Sequence, residues 1–153
     1  MKTAIERSQF VIWGLIVFVL LMALLSAWQS IEKEANQTAL AVASSKIVES
    51  ANFYKQDWLL KGRPSTLIAN GRLLNMSATG WVLPLAENES SIDCRYWLSL
   101  LYPDEQLLES KVISIESAHQ VNQYQCRYVY SQKQVITIEL LRDKFTVSVD
   151  FSA

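Results

Sequence analysis

The residues that most often carry chemistry are scarce in this chain, which has two cysteines and one histidine. Three such ligands are too few for a zinc or iron–sulfur centre. Cys94 and Cys126 also lie too far apart for the Cys-x-x-Cys arrangement of a thiol redox site. We therefore expect the two cysteines to form a structural disulfide bond, with two separate buried thiols as the alternative.

The single histidine has no catalytic partner beside it in sequence. His119 lies in Ser117–Gln120, which we expect to be a loop between strands, and a lone exposed histidine is more often structural than catalytic. The carboxylates Asp57, Asp93 and Asp150 are scattered along the chain. We therefore predict no catalytic, cofactor-binding or metal-binding residues, no enzyme activity and no small-molecule substrate.

The distribution of charged residues gives no indication of nucleic-acid binding. The chain has 14 basic and 15 acidic residues, a net charge of −1, and its lysines and arginines form no cluster. Nucleic-acid binding needs a basic patch that neutralises phosphates. Nucleic acid is therefore not an expected partner.

One long apolar segment, Phe10–Trp28, contains no charged residue. A helix of about 19 residues crosses about 28 Å, close to the hydrocarbon thickness of a bilayer. Trp13 and Trp28 lie near its ends, where indole rings prefer the membrane interface. We predict a membrane-spanning helix in contact with lipid, since a chain of this size has little room to bury a helix that is apolar on all sides.

The flanking charges orient this helix. Lys2, Arg7 and the amino group precede it, whereas Ile31–Glu34 beyond it is net negative. Because basic flanks stay in the cytoplasm, residues 1–9 are expected there and the C-terminal part on the far side. We expect an anchor and not a cleaved signal, because the apolar run is long and Leu25 fits the −3 position of a cleavage site poorly.

Contacts between helices in lipid depend on small and polar side chains, because burying leucine against leucine gains nothing there. The small residues of the predicted span are therefore its expected contact points with other membrane helices. They are Gly14, Ala23, Ser26 and Ala27.

A second helical pattern follows the span. Residues 29–39 are polar and read as a neck, and an apolar stripe then recurs at steps of three and four. Gly62 and Pro64 supply the stop. The stripe is expected to pack on the protein's own domain and consists of Leu40, Ala43, Ile47, Ala51, Tyr54 and Trp58.

The rest of the chain reads as a small α+β domain, residues 40–153. Residues 63–90 look irregular, and Ile92–Tyr102 fits a helix or a strand, of which we prefer the helix. Alternation then predicts an antiparallel sheet of four strands, on which the long helix packs. The strands are Val112–Glu116, Tyr124–Tyr130, Val135–Leu140 and Phe145–Phe151.

Cys126 shares its predicted strand face with Tyr124, Tyr128 and Tyr130. If that face meets Ile92–Tyr102, a bridge to Cys94 follows. The expected export of the C-terminal part favours the bridge, because exported compartments such as the bacterial periplasm are oxidising. A loop of about 33 residues would stabilise the domain by about 3–4 kcal/mol in the chain-entropy view.

This order of elements resembles type IV pilins and pseudopilins. Asn70–Arg72 and Thr79–Pro84 look like the loop after the first helix of a pilin. Cys94–Leu98, Cys126–Tyr130 and Val135–Ile138 look like segments of minor subunits in MSHA-type pilus systems. The resemblance implies a pilin-like fold and partners among pilin or pilus-assembly subunits, contacted through the membrane helix and the periplasmic domain.

The N-terminus departs from the pilin pattern. Pilin precursors carry a glycine before the apolar run and a glutamate at the fifth mature position, whereas this chain has Ser8-Gln9-Phe10. Cleavage after Gly14 would leave Val19 fifth, with no carboxylate. We therefore expect an accessory subunit of pilus assembly that stays in the bacterial inner membrane. The alternative is a membrane-anchored periplasmic binding or sensor domain unrelated to pili.

Overall fold

In the computed structural model of the chain, the described residues are 2–86, 91–107, 109–120 and 123–151, with only the backbone described for 2–8 and 28–36. The chain divides into two compact units, Met1–Gln37 and Thr38–Ala153. The division falls inside the predicted neck, whose side chains up to residue 36 lie outside the described ones. The units are described separately below.

Helix α1 (Lys2–Leu60) begins in the first unit and ends in the second. Its end is a Schellman motif in which the Arg63 N–H donates to the Trp58 carbonyl (2.9 Å) and the Gly62 N–H to the Leu59 carbonyl (3.3 Å). Gly62 has a φ of +81°, which glycine adopts without strain. The stop predicted at this glycine is confirmed.

The segment after α1 contains a hairpin that the sequence interpretation missed. Strands β1 (Thr66–Ala69) and β2 (Arg72–Asn75) pair antiparallel around Asn70 and Gly71. Both turn residues have positive φ, 51° and 73°, as the two-residue Asn-Gly turn requires. The prediction of irregular structure for residues 63–90 is wrong for these two strands, and residues 87–90 lie outside the described part.

Helix α2 (Cys94–Leu101) resolves the ambiguity of Ile92–Tyr102 in favour of the helix. The Asp93 carboxylate caps it by accepting a hydrogen bond from the Tyr96 N–H at 2.9 Å. One helix face is buried, including Trp97, Leu98 and Leu101. Packing therefore decides between two patterns that the sequence allowed.

The main sheet has five strands in the order β3-β4-β5-β6-β7, and all neighbours are antiparallel. The predicted count of four is corrected by the short β3, whose two residues are too few to show alternation. The strands are β3 (Gln106–Leu107), β4 (Ser110–Gln120), β5 (Gln123–Tyr130), β6 (Gln134–Leu141) and β7 (Lys144–Phe151).

The core of the second unit lies between one sheet face, α2 and the C-terminal part of α1. The largest buried side chains include Trp97, Tyr128 and Tyr130, so aromatic rings fill much of this space. Sheet residues of the core include Ile136, Ile138 and Leu140 on β6. The fold is therefore α+β, with an N-terminal apolar helix and a curled antiparallel sheet.

Candidate interaction surfaces

His119 lies within β4 and not in a loop, which corrects its predicted position. It faces Tyr124 across the strand pair, and the two ring centroids are 5.1 Å apart. No group of three or more His, Cys, Asp or Glu side chains able to hold a metal ion occurs among the described residues. His119 thus packs in a tilted arrangement against an aromatic neighbour, and its side chain is exposed.

The apolar part of α1 is the first candidate surface. Among the described residues, one helix is long and apolar enough to cross a membrane, with Gln9–Ala27 as its apolar segment. Every side chain of this segment is exposed, from Phe10 near its start to Leu25 near its end. The side chain of Trp28, which the sequence places at the membrane exit, lies outside the described ones.

The four small residues of this segment do not share one helix face. Ala23, Ser26 and Ala27 are related by steps of three and four and form one cluster, whereas Gly14 lies nine residues before Ala23 on the opposite side. The Ser26 hydroxyl donates to the Ala23 carbonyl at 2.8 Å. That internal bond occupies the Ser26 proton, so close packing at Ala23 and Ala27 is the stronger part of this contact point.

The apolar stripe of the second half of α1 is buried. All six predicted residues are at most 6% exposed and belong to the core: Leu40, Ala43, Ile47, Ala51, Tyr54 and Trp58. The same helix half also exposes apolar residues away from the core, and three of them, Val42, Phe53 and Leu60, lie on one line along the helix. This exposed helix face is a second candidate surface.

Cys94 at the start of α2 and Cys126 in β5 form a disulfide, with an S–S distance of 1.98 Å and a Cα–Cα distance of 5.6 Å. Beside it, the Tyr128 hydroxyl donates to the Cys94 carbonyl at 2.7 Å. Burial raises the pKa of Tyr128, so that hydroxyl stays protonated and remains a donor. The bridge and the hydrogen bond fix the helix start to the middle of the sheet.

A stack of aromatic and cationic groups holds the loop 77–83 against the domain. Lys55 Nζ lies 3.9 Å from the centroid of the Trp81 ring, whose other partner is Phe145 at 5.1 Å. The Trp81 indole also donates to the Asp143 carbonyl at 3.1 Å. The sequence interpretation did not place this stack, because its members come from a helix, a loop and a strand turn that no spacing rule joins.

The close approach of Gly80 to α1 belongs to the same loop. A Cβ at Gly80 would lie 2.3 Å from a carbon of the Trp58 ring, and the residue has a φ of +83°. The Trp58 indole donates to the Pro64 carbonyl at 2.8 Å, which fixes the ring in this position. Only glycine satisfies both the space and the backbone angle here.

A cleft of about 310 Å³ lies between this loop and the ends of the sheet strands. Its one charged lining residue is Asp143, whose carboxylate accepts a hydrogen bond from Thr79 at 3.4 Å. The volume is at the lower end of the range for ligand sites, roughly 300–1,000 Å³. The polar lining residues of the cleft are Ser77, Tyr124 and Asp143, and the Ser77 hydroxyl is hydrogen-bonded to the Thr79 hydroxyl and accepts from the Trp81 N–H within the loop.

Three surfaces stand out among the described residues: an exposed apolar helix segment, a helix face with exposed apolar groups, and an antiparallel sheet. Compared with known proteins, the chain matches no family model, no curated protein and no solved structure. The resemblance to pilins therefore stays a prediction from the sequence segments and the predicted order of elements.

Proposed function

We propose that this protein is a single-pass accessory subunit of a type IV pilus assembly system of the MSHA type, held in the bacterial inner membrane. It acts by protein contacts and not by catalysis. The N-terminus lies in the cytoplasm and the disulfide-bonded domain in the periplasm. The observation that carries the proposal is one helix, Lys2–Leu60, that joins an apolar segment to a buried stripe in an α+β domain.

The helix supports the membrane part of the proposal. The segment Gln9–Ala27 exposes apolar side chains around its whole circumference, and in water this surface would drive aggregation. A lipid bilayer removes this apolar surface from water, because the thickness of its hydrocarbon core matches the length of the segment. The proposed orientation rests on Lys2 and Arg7 before the segment and on the net negative Ile31–Glu34 after it.

The disulfide in the domain supports the proposed periplasmic location. A disulfide with buried cysteines persists where thiols are not kept reduced, and the periplasm is such a compartment. The pilus class rests on the pilin-like order of elements and on the segments around Cys94, Cys126 and the Trp81 loop. The missing carboxylate near the start of the apolar run favours a subunit retained in the membrane over one extracted into the fibre.

The test is affinity purification of the full chain from crosslinked membranes of its own cells, with the captured proteins identified by mass spectrometry. We expect pilin, platform or other pilus-assembly subunits among the captured proteins. Ala27→Leu, which fills the small-residue cluster, should lower their recovery about threefold or more while membrane insertion is unchanged.

Val17→Leu is the matched control, because it enlarges a residue of the same span away from Ala23 and Ala27. It should capture partners as well as the unaltered chain does. Capture of solute-binding or signalling proteins without any pilus subunit would overturn the pilus assignment and favour a periplasmic sensor. Equal capture by both variants would move the contact from the span to the domain.

A further inference from the structure

The last strand of the chain forms an open edge of the main sheet. Within the described part of the chain, β7 pairs only with β6, and it does so in unbroken register from Lys144 opposite Leu141 to Phe151 opposite Gln134. The strand contains no proline and no bulge. Proline and bulges are two of the features that blunt natural edge strands, and β7 has neither. Its Phe151 N–H already donates to the Asp150 carboxylate at 2.7 Å, so the edge offered to another strand is Lys144–Asp150.

The opposite side of the sheet differs in this respect. There β4 pairs with β3 only at Lys111 and Ser110, and its register shifts between Val112 and Ser114. The shift leaves Ile113 67% exposed. A bulge of this kind twists an edge and interrupts pairing. The two edges are therefore not equivalent, and β7 is the one prepared for extension.

The apolar residues on one face of β7 are only partly covered by the rest of the domain. Val149 lies beside Ile136 of β6, yet Val149 is 40% exposed whereas Ile136 is fully buried. Phe145 at the other end of the strand packs on Trp81 and Trp97. An added strand with apolar residues on this face would bury the exposed part of Val149.

The sequence of β7 is complementary to itself when reversed. An antiparallel second copy of β7, centred on Val147, places unlike charges opposite each other at both ends of the strand pair. Between the ends, apolar residues lie opposite apolar residues and hydroxyl residues opposite hydroxyl residues. Opposite residues on one sheet face lie about 5 Å apart and interact directly. The pairs are Lys144 with Asp150, Phe145 with Val149, Thr146 with Ser148, and Val147 with Val147.

We propose that β7 is a homodimerisation edge, which pairs antiparallel with β7 of a second copy and joins the two five-stranded sheets into one sheet of ten strands. The contact is isologous, so each of the outer pairs occurs twice. The two Lys144–Asp150 pairs favour this register, because a shift of two residues in either direction separates them. The one shifted register with unlike charges at both ends places Asp150 opposite Arg142, which lies in the turn before β7 and not in the strand. This interface is separate from the pilus role and stands without it.

The register makes a geometric prediction for cysteine crosslinking of the full chain in membranes. Directly opposite Cα atoms lie about 4.5–5.5 Å apart, within disulfide range, whereas diagonal ones lie at about 7 Å or more. Copies carrying Thr146→Cys and copies carrying Ser148→Cys, with different tags, are co-expressed and oxidised. The mixed disulfide dimer should exceed the dimer formed by either variant alone about threefold or more.

Two polar-face residues of β4 serve as the matched control, Glu116→Cys in one copy and Ala118→Cys in the other. We expect no excess of mixed dimer there. A mixed dimer at β4 equal to that at β7, or no excess at β7, would overturn the proposal.

A charge exchange tests the same register without added cysteines, by the apparent dissociation constant of the full-length dimer in detergent micelles. Lys144→Asp alone and Asp150→Lys alone each place like charges at both ends and should weaken the dimer about fivefold. The double variant Lys144→Asp/Asp150→Lys restores unlike pairs and should return within about twofold of the original. Single variants that dimerise normally, or a double variant as weak as the singles, would contradict β7 self-pairing.

Discussion

At the scale of single residues, two close contacts lend themselves to tests of stability. One is the bridge between Cys94 and Cys126, beside which the Tyr128 hydroxyl bonds the Cys94 carbonyl. The other is the approach of Gly80 to the Trp58 ring. The first fixes α2 to the sheet, and the second fixes the loop 77–83 to α1. Each point yields a stability prediction.

Loss of the disulfide should destabilise the domain. In the double variant Cys94→Ala/Cys126→Ala, the free energy of unfolding in urea should fall by about 2–5 kcal/mol, because the unfolded chain regains the freedom that the bridge removes. The unaltered protein should show a similar loss when reductant is added. An unfolding midpoint that is unchanged by reductant would mean that the native protein carries no bridge.

Gly80→Ala tests the second point. The new Cβ would overlap the Trp58 ring and the residue would keep a positive φ, so we expect a loss of about 2–4 kcal/mol in thermal unfolding. Gly71→Ala is the control, since its φ is +73° but its Cβ would meet nothing within 4 Å. It should lose only the backbone part, about 1–2 kcal/mol. Equal losses in both variants would show that the ring contact contributes nothing.

The Gly80 contact also shows what sequence patterns cannot supply. The sequence predicts a bridge between Cys94 and Cys126, the only two cysteines, on the condition that the strand face of Cys126 meets Ile92–Tyr102. The partners Trp58, Gly80, Trp81 and Phe145 come from separate elements, and only the folded chain brings them together. A contact between two residues of a rare type can be predicted from the sequence. The contacts of common apolar residues depend on how the whole core packs.

At the scale of elements, long repetitive patterns predicted the structure well and short ones did not. The stripe of α1 and the strands β5, β6 and β7 follow from periodicities sustained over many residues. The hairpin β1–β2 and the two-residue β3 are too short to show alternation, so both were missed. The predicted end of β4 at Glu116 was too early, because polar residues up to Gln120 pair with β5 at an exposed hairpin end.

The stripe of α1 gives a prediction at this scale. Ile47 is fully buried and Val48, the next residue, is 39% exposed. Ile47→Ala should lower the free energy of unfolding by about 2–5 kcal/mol, because the lost side chain leaves a cavity in the core. Val48→Ala should change it by about 0.5 kcal/mol or less. Similar urea midpoints for the two variants would show that this helix face is not packed on the domain.

At the scale of the whole molecule, the account rests on one claim. We propose that a single helical segment anchors the chain in a membrane and that the disulfide-bonded domain lies on the oxidising side of it. The apolar length of Gln9–Ala27 bears on the anchor, and the flanking charges bear on the direction of crossing. The proposed pilus partners and the bridge both depend on this arrangement.

Reporter activity at the C-terminus measures that claim most directly. Alkaline phosphatase folds to an active form only after export, and a cytoplasmic fluorescent protein reports the opposite side. The account predicts an active phosphatase and a dark fluorescent protein when each is fused after Ala153 of the full chain, both in the membrane fraction. An inactive phosphatase together with a bright fluorescent protein at the same point would contradict it.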